Sequence, residues 1–237
     1  MVDKTQTPRM FTAIARRYDL LNRVLSLNVD RGWRRSLVDL AMAREGAKVL
    51  DVAAGTGDVA IEFAKRTPAN RIVCLDLSPG MLDVASGKLR RLQLDARIDL
   101  IEADALEMPF GDESFDAVTI AFGLRNLPDY QAGVREMARV LKPGGRLLVL
   151  EFFPPRGGLF LQAYRFYLGT ILPVTGRVVS GSKEAYESLS SSIKSFASHE
   201  DVHGYLTAAG LERLERQKLT GGISFIHFGV KPAQAQR

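Results

Sequence analysis

The sequence predicts an α/β domain in which helices cover both faces of a mostly parallel sheet that ends in an antiparallel hairpin. Five apolar, strand-like runs alternate with helix-like patterns up to about residue 153, which is typical of βαβ units. Two further strand patterns, at 211–219 and 223–231, are joined only through "TGG", so they must pair antiparallel. With 237 residues, 46% of them apolar and 25% charged, the chain is long enough for one large domain of this kind.

The individual elements follow one another in a regular order. Helix periodicity covers residues 9–45, so we expect a helical lid over residues 1–45 and the main domain over residues 46–237. Ser78 is suited to cap a helix that carries Pro79 in its first turn. The next strand patterns lie at 47–54, 71–77, 98–104, 115–121 and 146–152, and the helix patterns between them at 59–67, 78–92 and 130–141.

Composition and charge exclude several classes of function. The single cysteine, Cys74, lies in an apolar run, which indicates a buried side chain in a reducing compartment and excludes a disulfide within the chain. The three histidines show no metal-ligand spacing. The net charge of +5 is spread along the chain, so no nucleic-acid partner is expected. The lack of a signal-peptide pattern favours a cytoplasmic location.

A glycine loop marks the start of the main domain. "VLDVAAGTGDVA" places Gly55 and Gly57 between a strand and a helix, where glycine allows a tight turn and a close approach of backbone to ligand. Together with Ala60, these glycines also fit the spacing G-x-G-x-x-G/A. The loop alone therefore leaves a dinucleotide open as ligand, and with it a NAD-dependent dehydrogenase.

Three carboxylates at successive strand ends make the ligand more specific. Asp76 lies nineteen positions after Gly57, where a carboxylate can accept hydrogen bonds from ribose hydroxyls. Asp104 follows the third strand, in reach of an adenine amino group, and Asp51 ends the first strand, where it could orient the loop or a cationic group. An acid-rich crevice suits the sulfonium and ammonium groups of S-adenosylmethionine better than a pyrophosphate.

Several motifs carry a family resemblance that extends over nearly the whole chain. "VLDVAAGTGD", "LDLSPGML", "ADALEMPF" and "RVLKPGG" resemble the motifs of class I S-adenosylmethionine-dependent methyltransferases, whose Rossmann-like fold has a seven-stranded sheet with a reversed last strand. "YDLLNRVLSLNVDRGWR", "FGLRNLPD", "RVLKPGGRLLVLEF" and "TGGISFIHFGVK" are similar to the signatures of the quinone-biosynthesis C-methyltransferases, the UbiE/MenG (COQ5) family. These longer signatures are far more specific than the glycine loop.

The resemblance implies C-methylation of a polyprenylated quinol ring, with S-adenosyl-L-methionine as cofactor. The compact N-terminus and the length favour demethylmenaquinol, which would give menaquinol. A 2-methoxy-6-polyprenyl-1,4-benzoquinol and another small-molecule substrate remain alternatives. The cofactor-binding residues that it implies are Asp51, Ala53, Gly55, Thr56, Gly57, Asp76, Leu77, Met81, Asp104, Ala105 and Ala121.

The stretch "FGLRNLPDY" is expected to supply the catalytic side chains, because it directly follows a buried strand. The permanently charged Arg125 could stabilise a phenolate, and Asn126 could orient a water or a hydroxyl group. The alternative for both is a hydrogen-bond network that braces the loop. Tyr18 is expected to close over the crevice, with packing alone as its alternative.

An apolar, aromatic-rich insertion occupies about residues 154–200. It is too short and interrupted to span a bilayer, and it could line a prenyl tunnel, dock on a membrane or pack on its own sheet. Peripheral membrane contact and a homo-oligomeric state therefore stay open. Three positions depart from the family signatures: Asp30 replaces a usual His, Phe153 a usual Ser, and Ala121 a frequent Ser.

Overall fold

Six α-helices and seven strands have their bounds within the described residues. The computed structural model describes residues 7–26, 28–67, 71–153, 192 and 196–233. The helices in this part of the chain are α1 (Thr7–Leu25), α2 (Asp30–Ala41), α3 (Asp58–Arg66), α4 (Pro79–Leu92), α5 (Tyr130–Val140) and α6 (His199–Ala208). The strands are β1 (Lys48–Val52), β2 (Arg71–Asp76), β3 (Ile98–Glu102), β4 (Phe115–Ala121), β5 (Leu141–Phe152), β6 (Glu212–Leu219) and β7 (Ser224–Val230).

The strands form one sheet in the order β3-β2-β1-β4-β5-β7-β6. Strands β1 to β5 pair in parallel, whereas β7 is antiparallel to both β5 and β6. This confirms the predicted fold class, including the reversed last strand. The strand order changes direction between β1 and β4, and such a switch point leaves a crevice beyond the carboxyl ends of the strands.

Alternating side chains build a core on each face of the sheet. Val49 of β1 packs in one cluster with Trp33 and Leu37 of α2, and the next residue, Leu50, belongs to a second cluster with Val134 of α5. Helices α2 and α3 cover the first face, while α5 and α6 cover the second. Cys74 is fully buried in the first cluster, and burial raises the pKa of its thiol, so it packs as a small apolar side chain.

Helix α1 has a different environment from α2. It packs on α4, and the approach is close enough that a Cβ at Gly80 would lie 2.7 Å from Cγ2 of Thr12. Helix α2 is instead part of the sheet core through Trp33 and Leu37. Of the two helices in the predicted lid, only α1 contributes side chains to the crevice. The predicted boundary at residue 45 stays a prediction.

The helix starts follow the expected capping chemistry. The Ser78 hydroxyl accepts a hydrogen bond from the Met81 amide, and Pro79 is the first residue of α4, as predicted. At α6, Ser198 and Asp201 form a reciprocal capping box.

Strand β5 begins five residues earlier than predicted. The stretch "KPGG" after α5 is typical of a helix end followed by a loop, but it lies inside the strand. Gly144 has a φ of 77°, and a Cβ at Gly145 would lie 2.9 Å from the carbonyl oxygen of Asp116. The pairing register with β4 shifts at this point. The two glycines therefore form an irregularity within the strand, which local sequence patterns do not distinguish from a turn.

One prediction concerns a part of the chain of which little is described. The apolar insertion at 154–200 lies outside the described residues, apart from 192 and 196–200. Its predicted role stays a prediction. Within the described ranges, no helix combines the length and the apolar character that crossing a membrane requires.

Candidate functional site

A cavity of about 370 Å³ lies at the carboxyl ends of β1 to β4 and beneath α1. Most of the residues that the sequence predicted for the site line this cavity. They are Tyr18, Ala53, Gly55, Asp76, Leu77, Met81, Asp104, Ala105, Ala121 and Asn126. Asp51, Thr56, Gly57 and Arg125 are not among the lining residues.

Eight lining residues were not predicted: Phe11, Leu75, Ser78, Ala103, Phe122, Gly123, Leu127 and Pro128. Most of them are sequence neighbours of predicted residues, and four lie within the "FGLRNLPDY" stretch. Phe11 precedes Tyr18 by seven residues, which places both on one face of α1. Their rings meet edge to face with centroids 5.8 Å apart. Helical spacing alone could therefore have identified Phe11.

Asp76 ties the glycine loop to the start of α4. Its Oδ2 accepts a hydrogen bond from the Gly55 amide at 2.7 Å, and its Oδ1 accepts one from the Ser78 amide at 2.8 Å. Burial raises the pKa of Asp76, while these backbone donors oppose the rise. Each carboxylate oxygen has a further lone pair that can accept a hydroxyl donor from the cavity. The position fits a ribose.

The other side of the cavity offers small side chains and a second carboxylate. Asp104 is exposed, and its Oδ1 accepts a hydrogen bond from the Leu106 amide at 2.8 Å. Ala103, Ala105 and Ala121 leave the space between the strand ends open. A mostly apolar cavity with carboxylates beyond two strands suits the apolar ring faces and the hydrogen-bond donors of an adenine nucleoside.

Two strand ends beside the cavity have strained backbone. Ala53 after β1 has a φ of 51°, and Phe122 after β4 has a φ of 58°. Both lie in the left-handed region that glycine prefers. The two strand ends are tightly packed, because a Cβ at Gly123 would lie 2.6 Å from the Cβ of Ala53. The width of the cavity at this point therefore depends on Gly123.

Gly123→Ala is expected to reduce catalytic turnover by roughly 10- to 100-fold, because the added Cβ pushes the β1 and β4 ends apart. The accompanying loss of stability is about 1–3 kcal/mol. Ala53→Gly in the same chain removes the opposing Cβ at a position whose positive φ glycine adopts without strain. The double variant should therefore recover most of the lost turnover and most of the lost stability. Gly87→Ala is the control, since nothing lies within 4 Å of its Cβ. A double variant as impaired as Gly123→Ala would contradict this account.

A polar network holds α1 over the cavity. The Thr56 hydroxyl donates to Asp19 Oδ1 at 2.5 Å, and Lys88 Nζ donates to Asp19 Oδ2 at 2.8 Å. Lys88 also pairs with Asp58 at the start of α3. Burial would raise the pKa of Asp58, but Lys88 and Arg34 keep it below its ordinary value. Thr56 thus acts through α1 and does not line the cavity.

Lys88→Met is expected to loosen α1 and to destabilise the fold by about 1–3 kcal/mol, because it removes charge-assisted hydrogen bonds that join α1, α3 and α4. Amide hydrogen exchange across α1 should become faster, with little change in β1 to β5. Lys65→Met, at an exposed site on α3, is the matched control. Unchanged exchange in α1 would show that other contacts hold this helix.

Arg125 and Asn126 are neighbours in the loop after β4, but their side chains have different environments. Arg125 is 4% exposed, and its Nη1 donates to Oε2 of the fully buried Glu151 at 2.7 Å. The Arg125 amide donates to Oε1 of the same carboxylate at 3.2 Å. Asn126 lines the cavity, and its Nδ2 donates to the Phe122 carbonyl at 3.2 Å. The guanidinium therefore braces the loop in this structure, which is the alternative that the sequence left open.

Asp51 lies beneath the cavity rather than in its wall. It is 1% exposed, and its Oδ1 accepts a hydrogen bond from the Thr119 hydroxyl at 2.8 Å. Its Oδ2 has no hydrogen-bond partner among the described residues. Burial raises the pKa of Asp51 to about 7. The structure does not bring this carboxylate to the pocket surface.

The signature departures have structural roles. Asp30 is buried, pairs with Arg34 and accepts a hydrogen bond from the Ser26 hydroxyl at 2.6 Å. Phe153 stacks on His199 with ring centroids 4.0 Å apart, and His199 Nδ1 lies 3.0 Å from His227 Nε2. Both residues thus pack within the fold.

The three histidines of the chain, His199, His203 and His227, lie together between α6 and β7. Burial lowers the pKa of His227 to about 3. Within the described residues, no group of three or more His, Cys, Asp or Glu side chains is arranged to hold a metal ion.

Several known proteins are similar to this chain over most of its length. A family model described as the ubiE/COQ5 methyltransferase family matches residues 1–231. The chain is 50% identical to the protein of Deinococcus radiodurans named demethylmenaquinone methyltransferase, over 97% of this chain and 94% of that protein. It is 46% identical to the protein of the same name from Thermus thermophilus, over 94% of this chain and 100% of that protein.

One further relative and one solved structure are also similar to this chain. The Idiomarina loihiensis protein named ubiquinone/menaquinone biosynthesis C-methyltransferase UbiE is 41% identical over 94% of this chain and 89% of its own. The crystal structure of a SAM-dependent methyltransferase from Aquifex aeolicus superposes with a TM-score of 0.62 and 18% identity, over 84% of this chain and 89% of that chain, which shows the shared fold. The predicted methyltransferase activity and the S-adenosylmethionine cofactor are confirmed, and the dehydrogenase alternative loses its support, because the chain belongs to the ubiE/COQ5 methyltransferase family.

Proposed function

We propose that this protein transfers the methyl group of S-adenosylmethionine to a ring carbon of demethylmenaquinol. The observation that carries the proposal is the cavity itself, which brings the strand-end carboxylates of Asp76 and Asp104 together with the loop that carries Asn126. The relatives at 50% and 46% identity bear the name of this activity, and this supports the naphthoquinol as substrate.

The residues around the cavity fit the cofactor. Asp76 would accept hydrogen bonds from the ribose hydroxyls, Asp104 would face the adenine amino group, and Gly55 would let the backbone approach closely. When bound there, S-adenosylmethionine supplies an electrophilic methyl group. The remaining wall, with Phe11, Tyr18 and Phe122, offers aromatic surface for a quinol ring, and such rings stack with each other favourably.

Asn126 and Tyr18 would bind and orient the quinol. The ring carbon becomes nucleophilic once a neighbouring phenol loses its proton, so the site must hold a phenolate oxygen and provide a route for the proton, directly or through water. The ring carbon would then bond to the methyl group as the methyl–sulfur bond breaks, which would leave S-adenosylhomocysteine, and the ring hydrogen that the methyl group replaces would leave as a proton by the same route. The Asn126 side chain lines the cavity, and it can hydrogen-bond such a water or the hydroxyl itself. Tyr18 lies on α1, whose polar network closes this side of the cavity and limits access of water.

We propose a different role for Arg125 from the one that its sequence position predicts. Its charge is compensated by Glu151, and the pair holds the turn Leu124–Asn126 that carries Asn126 to the cavity. We therefore assign it as a positioning residue. Direct stabilisation of the phenolate stays the alternative, and Arg125→Lys separates the two. Lysine keeps the positive charge and the backbone amide that donates to Glu151, but it cannot reproduce the guanidinium contact from Nη1 to Glu151 Oε2, so a phenolate role predicts substantial retained turnover.

The test of the function is incubation with labelled S-adenosylmethionine and a reduced, short-chain demethylmenaquinol. We expect a product that is heavier by one methylene group, and none with the oxidised quinone. Asn126→Ala should lower kcat on the order of 100-fold with little change in cofactor affinity. Gln131→Ala, an exposed amide on α5, is the matched control. Absence of product with the wild-type chain would refute the proposal.

A benzoquinol is the second candidate, because the relative at 41% identity is named for ubiquinone as well as menaquinone biosynthesis. Competition between equal concentrations of demethylmenaquinol and 2-methoxy-6-polyprenyl-1,4-benzoquinol measures the ratio of kcat/KM directly. Preference for the naphthoquinol supports the main proposal. The prenyl chain would be accommodated by the 154–200 insertion, of which little is described.

A further inference from the structure

The outward face of α1 carries a stripe of positive charge that the catalytic proposal does not use. The helix covers the cavity with its inner face, on which Phe11 and Tyr18 line the cavity and Ala15 is buried. Asp19, the only acidic residue of the helix, points toward the network around Lys88. All of these contacts leave the opposite face in solvent.

That opposite face has a regular pattern. Arg9, Arg16 and Arg23 are spaced by seven residues, and Ala13 and Leu20 lie between them. At 3.6 residues per turn, these five positions fall within about 80° of one another around the helix axis. All five are exposed, Leu20 by 54%. We call these five residues the arginine stripe.

The guanidinium groups of the arginine stripe have no carboxylate partner in direct contact among the described residues. At longer range, Arg23 acts on the carboxylate of Asp58, whose ion pair is formed with Lys88. Other surface arginines do have such partners, such as Arg66 with Asp39. A row of unpaired guanidinium groups creates a local positive potential, which attracts a polyanionic surface.

We propose that the arginine stripe docks this protein on an anionic lipid surface. Guanidinium groups at this spacing can contact lipid phosphates while their apolar stems lie along the interface. Leu20, exposed between Arg16 and Arg23, can insert among the acyl chains, as in helices that lie in the plane of a membrane. An exposed leucine within the stripe gains nothing from a nucleic-acid backbone. A second copy of the chain would present the same positive charges and be repelled.

The arginine stripe lies on the helix that covers the cavity, so docking would bring the cavity close to the membrane. This step of the inference rests on the proposed function. A polyprenylated quinol resides in the bilayer, whereas the methyl donor binds in the cavity beneath α1. Docking through the outer face of the same helix would bring the cavity to within one helix diameter of the lipid, about 10 Å. The substrate ring would then need to leave the membrane by only a short distance.

The experiment measures co-sedimentation of the full chain with vesicles of phosphatidylcholine alone or with roughly 30% phosphatidylglycerol added. We expect binding only to the anionic vesicles, and weaker binding at about 0.5 M salt because the charges are then screened. The triple variant Arg9→Glu, Arg16→Glu, Arg23→Glu should bind the anionic vesicles roughly 100-fold more weakly. The control is Arg91→Glu, Arg135→Glu, Arg213→Glu, the same change in net charge at exposed sites outside α1.

Each outcome decides the proposal. Loss of binding in the stripe variant but not in the control supports it. Equal binding by the stripe variant and the wild type overturns it, as does wild-type binding to soluble single-stranded DNA with no binding to anionic vesicles. Turnover of a short-chain, water-soluble quinol is measured in parallel, together with circular dichroism. The stripe variant should keep both, and a wild type that binds vesicles without methylating any quinol would refute the catalytic proposal alone.

Discussion

Glu151→Gln is expected to destabilise the protein by about 3–5 kcal/mol, one of the largest effects of any single substitution here. The Glu151 carboxylate is fully buried and accepts hydrogen bonds from both the guanidinium and the amide of Arg125, which is itself only 4% exposed. Glutamine leaves the guanidinium charge buried without a counter-charge. Denaturant unfolding measures this change in the free energy of unfolding, and the activity is measured at the same protein concentration.

The two halves of this ion pair should not be equivalent. Without the guanidinium, the Glu151 carboxylate still accepts hydrogen bonds from the Arg125 and Phe152 amides, whereas the guanidinium without the carboxylate loses both its acceptor and its counter-charge. Arg125→Met should therefore cost less stability than Glu151→Gln. The double variant Arg125→Met, Glu151→Met should recover part of the loss, because it buries no charge, although the Arg125 and Phe152 amides then lose the carboxylate as acceptor. If Glu151→Gln proved neutral, the pair would not be holding the loop as the structure indicates.

Turnover of the double variant separates stability from function. If Arg125 only positions the loop, a folded Arg125→Met, Glu151→Met protein should keep cofactor affinity and have a higher kcat than Arg125→Met, because Asn126 is displaced less. If the charge itself stabilises a phenolate, the double variant should have a kcat as low as that of Arg125→Met.

The sequence predicted the sheet almost completely, because its signals are local. Apolar runs alternate with 3.6-residue patterns, and the capping residue Ser78 marks a helix start that the structure confirms. The start of β5 was wrong because Gly144 and Gly145 have the composition of a loop while the pairing that makes them part of a strand comes from β4. Such tertiary pairing is invisible to a pattern that considers one segment at a time.

The site was predictable to the extent that it is built from strand ends. Asp76 and Asp104 follow their strands directly, so their convergence follows from the parallel order of the sheet. Arg125 has the same kind of sequence position, yet its side chain turns to Glu151, which lies twenty-six residues later in β5. The partner of a charged side chain depends on distant residues, and a lone "RN" after a strand does not reveal it. The arginine stripe was missed for a related reason, since its charges are dispersed in sequence and align only on a helix.

Asp51→Asn is expected to stabilise the protein at pH 8 by on the order of 4 kcal/mol and to leave it nearly unchanged at pH 4. Burial raises the pKa of Asp51 from the ordinary 3.8 to about 7. Between these two values the folded protein retains a proton that the unfolded chain releases. The stability associated with this proton is fully present below about pH 3.8 and is lost as the pH rises through about 7. Asparagine cannot titrate, and it keeps an acceptor for the Thr119 hydroxyl.

The pH dependence also decides what Asp51 does at the cavity. Chemical unfolding of the wild type, Asp51→Asn and the exposed control Asp95→Asn, measured from pH 4 to 8, should show a gap that widens only for Asp51→Asn. If the free energy of unfolding changed with pH by the same slope in all three proteins, Asp51 would be ionised in the folded state throughout this pH range. Calorimetric titration with S-adenosylmethionine then separates two roles, because a side chain beneath the cavity should leave affinity within about twofold. A tenfold or larger loss, about 1.4 kcal/mol, would instead place the carboxylate in contact with the cationic part of the cofactor, as its sequence position suggested.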